Sequence, residues 1–298
     1  MGFLRKYIYP VLFGLLVFPL MRLFFPKLKI LNTVETIEYL KANKNLSIVR
    51  FGDGEFDVIT GGKGPGYQVR SAELQRKLSC ILEKKEVLVA IPAHFSMREL
   101  TRDSLSWREF LFWRSYMARK VFSLRKLLST DCLYGDACVS RPYSRNYDKD
   151  YASQIFKKIR NLWDGEDVVL IEGSLTRFGF GNDLLDNAKS VRRIIGPAKN
   201  AFEKYQEILN EAKKQPAGTV FIVSLGPAAK LLAADLCANY RVFDLGHLDI
   251  EYEWFLRNVK SRISVPNKYV NETRNCFVED VESFDRTKYE SQIIARVE

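Results

Sequence analysis

LSIVRFGDGEF, residues 46–56, runs from a short apolar stretch into a glycine-flanked acidic turn. A strand that ends in such a turn delivers Asp53 and Glu55, two positions apart, to the carboxyl edge of a sheet, where open α/β proteins bind ligands. Two hard carboxylates are too few to cage a cation alone. They suit Mg²⁺ or Mn²⁺ that completes its shell with water and substrate phosphate, and such an ion neutralises a diphosphate leaving group. On spacing alone the same residues also fit an ordinary helix start, with Asp53 as cap and Glu55 in the first turn.

Comparable apolar runs recur at 87–91, 168–171, 191–195, 219–225 and 241–245. Helix-like stretches separate them at 71–84, 104–128, 150–163, 200–214, 227–238 and 249–260, after a short helix at 33–44 with Thr33 as its cap. This alternation predicts an α/β, Rossmann-like, mostly parallel sheet with helices on both faces. A single domain over 31–285 accommodates all of it, followed by a polar tail at 286–298.

The 298 residues carry a net charge of +10, but Arg5, Lys6, Arg22, Lys27 and Lys29 place half of it in residues 1–30, which hold no acid. That distribution argues against a nucleic-acid partner and for a membrane surface. Tyr7 to Met21 is uncharged, yet shorter than the roughly 20 apolar residues of a straight span, and it contains Pro10 and Pro19. We expect residues 1–30 to be a hydrophobic, basic, interfacial or re-entrant membrane segment, with the domain on the cytoplasmic face of the cell membrane. Five cysteines without a CxxC pair fit a reduced compartment.

Each remaining motif follows a predicted strand. After 168–171 come Glu172, Thr176, Arg177, Asn182 and Asp183 among three glycines, a set of donors and acceptors for phosphate or ribose, or an ordinary polar loop. Lys199 opens the next helix, where it could hold an anion or simply be solvated. His247, Asp249 and Glu253 follow the last run. Asp249 and Glu253 share a helix face and could take a proton from a hydroxyl, or serve as cap and surface residue. Gly61–Gly66 has four glycines and one proline in six residues and suits a lid or a plain loop beside Asp53.

Taken together, RFGDGEF at 50–56, SRPY at 140–143, the block 172–202, SLGPAA at 224–229 and DLGHLDIEYEW at 244–254 resemble the GT-D type glycosyltransferases, first catalogued as domain of unknown function 1792. The resemblance implies that Asp53 and Glu55 bind a divalent metal and the diphosphate of a UDP-sugar. It implies nucleotide contacts from Arg50, the 172–183 residues Glu172, Thr176, Arg177, Asn182 and Asp183, and Lys199. His247, Asp249 and Glu253 would lie near the transferred sugar, with Glu253 the preferred base and Asp249 its reserve. The implied reaction moves a hexose, glucose for preference, to a glycan hydroxyl, and the N-terminal segment suggests a lipid-linked acceptor. A sugar-nucleotide phosphohydrolase and a non-catalytic membrane scaffold are the alternatives.

Overall fold

Alternation within the β-branched runs decides which face of the sheet each side chain covers. In β3 (Val87–Ile91), Val87, Val89 and Ile91 join one core while Leu88 and Ala90 join the other, the period-two pattern of a strand buried on both sides. β5 (Asp167–Gly173) repeats it, and Val168, Val169, Leu170 and Ile171 have no solvent exposure. Burial of each such side chain contributes ~1.5–3 kcal/mol.

The computed structural model describes residues 9–96, 107–145, 147–282 and 284–298. Among these, β1 (Lys29–Ile30), β2 (Ser47–Arg50), β4 (Leu133–Asp136), β6 (Ser190–Gly196), β7 (Val220–Ser224), β8 (Arg241–Asp244) and β9 (Ile293–Arg296) complete the sheet. Its order is β1-β4-β3-β2-β8-β7-β5-β6-β9, and every neighbouring pair is parallel. One face is covered by α1 (Tyr9–Met21), α3 (Asp53–Ile59), α4 (Ala72–Ile81), α5 (Trp107–Leu127), α7 (Tyr205–Lys213) and α8 (Pro227–Leu236). The other is covered by α2 (Thr33–Ala42), α6 (Lys149–Arg160) and α9 (Leu248–Leu256).

Two expectations change. Residues 286–298 are not a tail: α10 (Arg286–Ser291) leads into β9, which pairs with β6 and closes that edge of the sheet. The cap of α2 is Asn32, whose Oδ1 accepts the Glu35 N–H at 2.9 Å while Glu35 Oε2 accepts the Asn32 N–H at 2.9 Å. Thr33 instead donates to buried Asp136 Oδ2 at 2.6 Å. Among the described residues no helix is long and apolar enough to cross a membrane. Residues 1–8 of the expected anchor and 104–106 of the expected helix lie outside the described residues.

Candidate active site

β2 and β8 are neighbours at the centre of the sheet, and the chain leaves β2 toward β3 and β4 on one side while β7 and β5 lie on the other. Such a reversal opens a crevice at the strands' carboxyl ends. Here it is a cleft of about 640 Å³, walled by the loops after β2, β4, β5, β6, β7 and β8, with Trp113 of α5 reaching in from the side.

Arg50 and Asp244 fasten this seam. Asp244 Oδ2 accepts the Arg50 backbone N–H at 3.0 Å, its Oδ1 lies 3.2 Å from Arg50 Nη2, and Arg50 Nε donates to the Asp244 carbonyl at 2.6 Å. Burial pushes the Asp244 carboxyl up, but Lys230 and Arg50 outweigh it and hold the group below the usual carboxylate range. Gly246 follows with φ 31°, and any Cβ there would collide with Arg50 Nη2. Ser140 of the SRPY motif accepts from Arg50 Nη1, so that motif braces the same clamp.

Both carboxylates of the β2–α3 turn line the cleft, but their surroundings differ. Glu55 Oε2 accepts the Gly52 N–H at 2.9 Å and Oε1 lies 3.1 Å from Lys230 Nζ. Asp53 sits at the first position of α3 rather than at its cap, and among the described residues no cation lies within ion-pair distance of its carboxylate. Burial, then repulsion from Glu55, raises its pKa. A divalent cation fits this donor chemistry, since Asp53 is an unneutralised hard oxygen ligand facing the cleft. No three His, Cys, Asp or Glu side chains among the described residues gather into a metal cluster, so such an ion would draw on water and substrate oxygens as well.

Of the three residues expected near the sugar, His247 and Asp249 line the cleft and Glu253 does not. Glu253 accepts from Asn182 Nδ2 at 2.7 Å and pairs with Lys268 at 3.0 Å and Arg257 at 3.3 Å. Burial raises its pKa, yet Lys268 and Asn182 outweigh that and the net shift is downward. Glu253, the preferred base, thus stands outside the cleft lining with its charge matched by Lys268 and Arg257. Asp249 is held by Lys268 at 2.7 Å and by Asn182 at 2.8 Å, and burial leaves its pKa raised. Burial, then the positive field of Arg141, lowers His247 to about 3, so its imidazole is neutral at neutral pH. Its Nε2 lies 3.7 Å from Glu272 Oε1, which also accepts from Arg141 Nη2 at 2.6 Å.

The residues expected to touch a nucleotide divide the same way. Arg50, Thr176 and Lys199 line the cleft. Glu172, Arg177, Asn182 and Asp183 do not, because packing interactions consume them. Fully buried Glu172 pairs with Arg193 at 2.5 Å and accepts the Phe178 N–H at 2.6 Å. Arg177 lies over the Phe284 ring at 3.8 Å. Asn182 is bound to Asp249 and Glu253, and Asp183 pairs with Arg160 and accepts from Tyr252.

Sequence reasoning missed Lys230, Arg141 and Glu272 in the lining, and it missed the clasp beside them. Asn200 donates its N–H to the Tyr67 carbonyl at 2.9 Å and accepts the Val69 N–H at 2.9 Å, while Gln68 accepts the Phe202 N–H at 3.2 Å. The segment Tyr67–Val69, directly after the glycine-rich loop Gly61–Gly66, is thereby tied to the loop after β6.

The sequence model of the family described as "Glycosyltransferase GT-D fold" matches residues 48–273, the whole span from β2 to beyond α9. The chain belongs to the GT-D fold glycosyltransferase family. It is 37% identical over 269 residues to Glycosyltransferase GlyD of Streptococcus pneumoniae serotype 4 (strain ATCC BAA-334 / TIGR4), covering 88% of this chain and 32% of that protein. Probable glycosyl transferase Gly of Streptococcus gordonii is 33% identical over 275 residues, covering 91% of this chain and 39% of that one. The chain thus spans about a third of the length of these curated relatives. A solved domain of unknown function 1792, described as having a distinct glycosyltransferase fold, superposes with a TM-score of 0.83 at 34% identity over 93% of this chain and 98% of its own. A glycosyltransferase of that domain type from Streptococcus sanguinis gives 0.81 at 30% identity, over 91% of this chain and 100% of its own.

Proposed function

We propose that this GT-D protein moves a hexose, glucose for preference, from a UDP-sugar to a hydroxyl of a lipid-linked glycan acceptor at the cytoplasmic face of the membrane. The observation that carries the reading is the unneutralised Asp53 carboxylate beside Glu55 and Lys230 at the switch-point cleft. Asp53 and Glu55 would hold Mn²⁺ or Mg²⁺. When bound, that ion supplies charge neutralisation for the diphosphate as it leaves.

The chain's own groups do the rest. Lys230, fixed between Glu55 and Asp244, and Lys199 in the loop after β6 would bring positive charge toward the leaving group. Asp249 takes the proton from the acceptor hydroxyl, with its orientation set by Lys268 and Asn182. The bond from the anomeric carbon to the diphosphate breaks, a bond to the acceptor oxygen forms, and UDP departs. Neutral His247, which lines the same cleft, would hydrogen-bond a sugar hydroxyl.

Product analysis tests this reading directly. The protein is incubated with a panel of radiolabelled UDP-hexoses, Mn²⁺ and a bacterial lipid extract. One donor is expected to label the lipid phase while releasing UDP in equal amount. Free sugar alone, with no labelled lipid, would replace the transferase with a sugar-nucleotide hydrolase.

A further inference from the structure

The segment Tyr9–Met21 is uncharged, and such a helix, apolar on all sides, belongs in a protein core or in lipid. Among the described residues of α1, Gly14 and Phe18 are buried. Gly14 permits a close approach to α5, since a Cβ there would lie 2.8 Å from the Ser115 backbone nitrogen, and Phe18 is buried beneath the Arg114 guanidinium. On the other side Leu12, Leu16 and Leu20, spaced four apart, are 50%, 75% and 55% exposed, and Leu23 beyond them is 78% exposed.

The uncovered surface continues onto α5. Phe24 and Phe122, 44% and 57% exposed, bring their rings within 6.1 Å of each other, and Arg125 reaches the Phe24 carbonyl at 3.5 Å. Exposed Arg22, Arg119, Arg125 and Lys126 rim the patch. Residues 9–30 contain no acid, and α5 contains only Glu109, which pairs with Arg262.

We infer that α1 and α5 together form a docking surface for an anionic lipid bilayer. An apolar stripe with a basic rim matches acyl chains flanked by phosphate headgroups. A second copy of the chain matches less well, because a two-fold contact would bring the same basic rims together. The surface adjoins the cleft: exposed Phe112 packs 5.2 Å from Trp113, which lines it, and Tyr116 on the same helix donates to the Asp53 carbonyl at 3.3 Å. Docking therefore sets the cleft's α5 wall against the bilayer, where the lipid end of an acceptor lies. That consequence rests on the transferase reading; the docking itself does not.

Flotation of the full chain with vesicles tests it, comparing phosphatidylcholine alone with mixtures containing phosphatidylglycerol. Binding is expected only with phosphatidylglycerol and should weaken as salt is raised. Leu16→Glu and Phe122→Glu should each lower partitioning about tenfold or more, the loss of one inserted side chain. Calorimetry with a UDP-sugar, run on the same samples, reports whether each variant is folded and competent. Donor binding without flotation, equal flotation with both vesicle types, or flotation unchanged in both variants would each overturn the docking surface. So would a wild-type dimer in ultracentrifugation that the two substitutions make monomeric. Flotation without any donor binding supports the docking surface and counts against the transferase.

Discussion

Lys230 Nζ lies 3.1 Å from Glu55 Oε1, on a helix whose other buried residues are apolar. The same ammonium is 3.2 Å from Asp244 Oδ2, so one buried cation ties the β2–α3 turn to the end of β8. Without it Glu55 would lose its ion-pair partner, and Asp244 would be left with Arg50. Lys230→Met should destabilise the fold by ~3–5 kcal/mol, the usual cost of leaving buried charge unpaired. A urea unfolding midpoint equal to wild type would show that the bridge contributes nothing.

Glu172 stands near the end of β5 and Asp53 just after β2, yet they should behave oppositely when removed. Glu172→Ala strands the fully buried Arg193 guanidinium, and a loss of ~3–5 kcal/mol is expected. Thermal denaturation measures it. If Glu172→Ala melts like wild type but loses donor affinity, the residue acts on ligand after all.

Acidification should expose the field around His247. Its folded value, about 3 against an ordinary 6.5, means the native imidazole stays neutral while the unfolded one takes up a proton. Stability is therefore whole above pH 6.5 and drains as pH falls toward 3. Glu272 acts in the same sense lower down: burial raises it, Arg141 and His247 outweigh that, and from about 2 to 4.5 its contribution is lost on acidification. His247→Gln should lose less stability than wild type between pH 7 and pH 5, measured by urea midpoints. Parallel profiles would remove His247 as the source.

Gly226 has φ 56°, and a Cβ there would strike the Tyr67 ring. Gly226→Ala should cost ~1–2 kcal/mol in backbone strain alone. It should also push the Tyr67–Asn200 clasp open, so weaker UDP-sugar binding is expected by calorimetry. Unaltered affinity would mean that the clasp does not shape the donor site.

The frame was legible because its strands are long enough to alternate. β3, β5 and β7 carry uninterrupted apolar runs rich in β-branched residues, and the turn at 52–55 announces itself by glycine and acid. β4, reading LYGD, and β9, reading IIAR, are four residues each and lack that signal; their pairing with distant strands is what makes them strands. Site residues failed for a related reason. In PAAKLLAADL a lysine looks solvated, and only contact with Glu55, far away in sequence, buries it. Asp249 and Glu253 do share a helix side, as their spacing required, but Lys268 and Asn182 arrive from other loops and claim Glu253 for packing. Asn182 and Asp183 looked like ligand contacts because polar loop residues that bind the protein itself have the same composition.

The most direct test titrates a UDP-hexose into wild-type protein and into Asp53→Ala, with and without Mn²⁺. The account predicts binding that needs the metal in the wild type, no metal-dependent binding in Asp53→Ala, and equal melting temperatures for the two proteins. Metal-dependent binding that survives in a folded Asp53→Ala protein would contradict it.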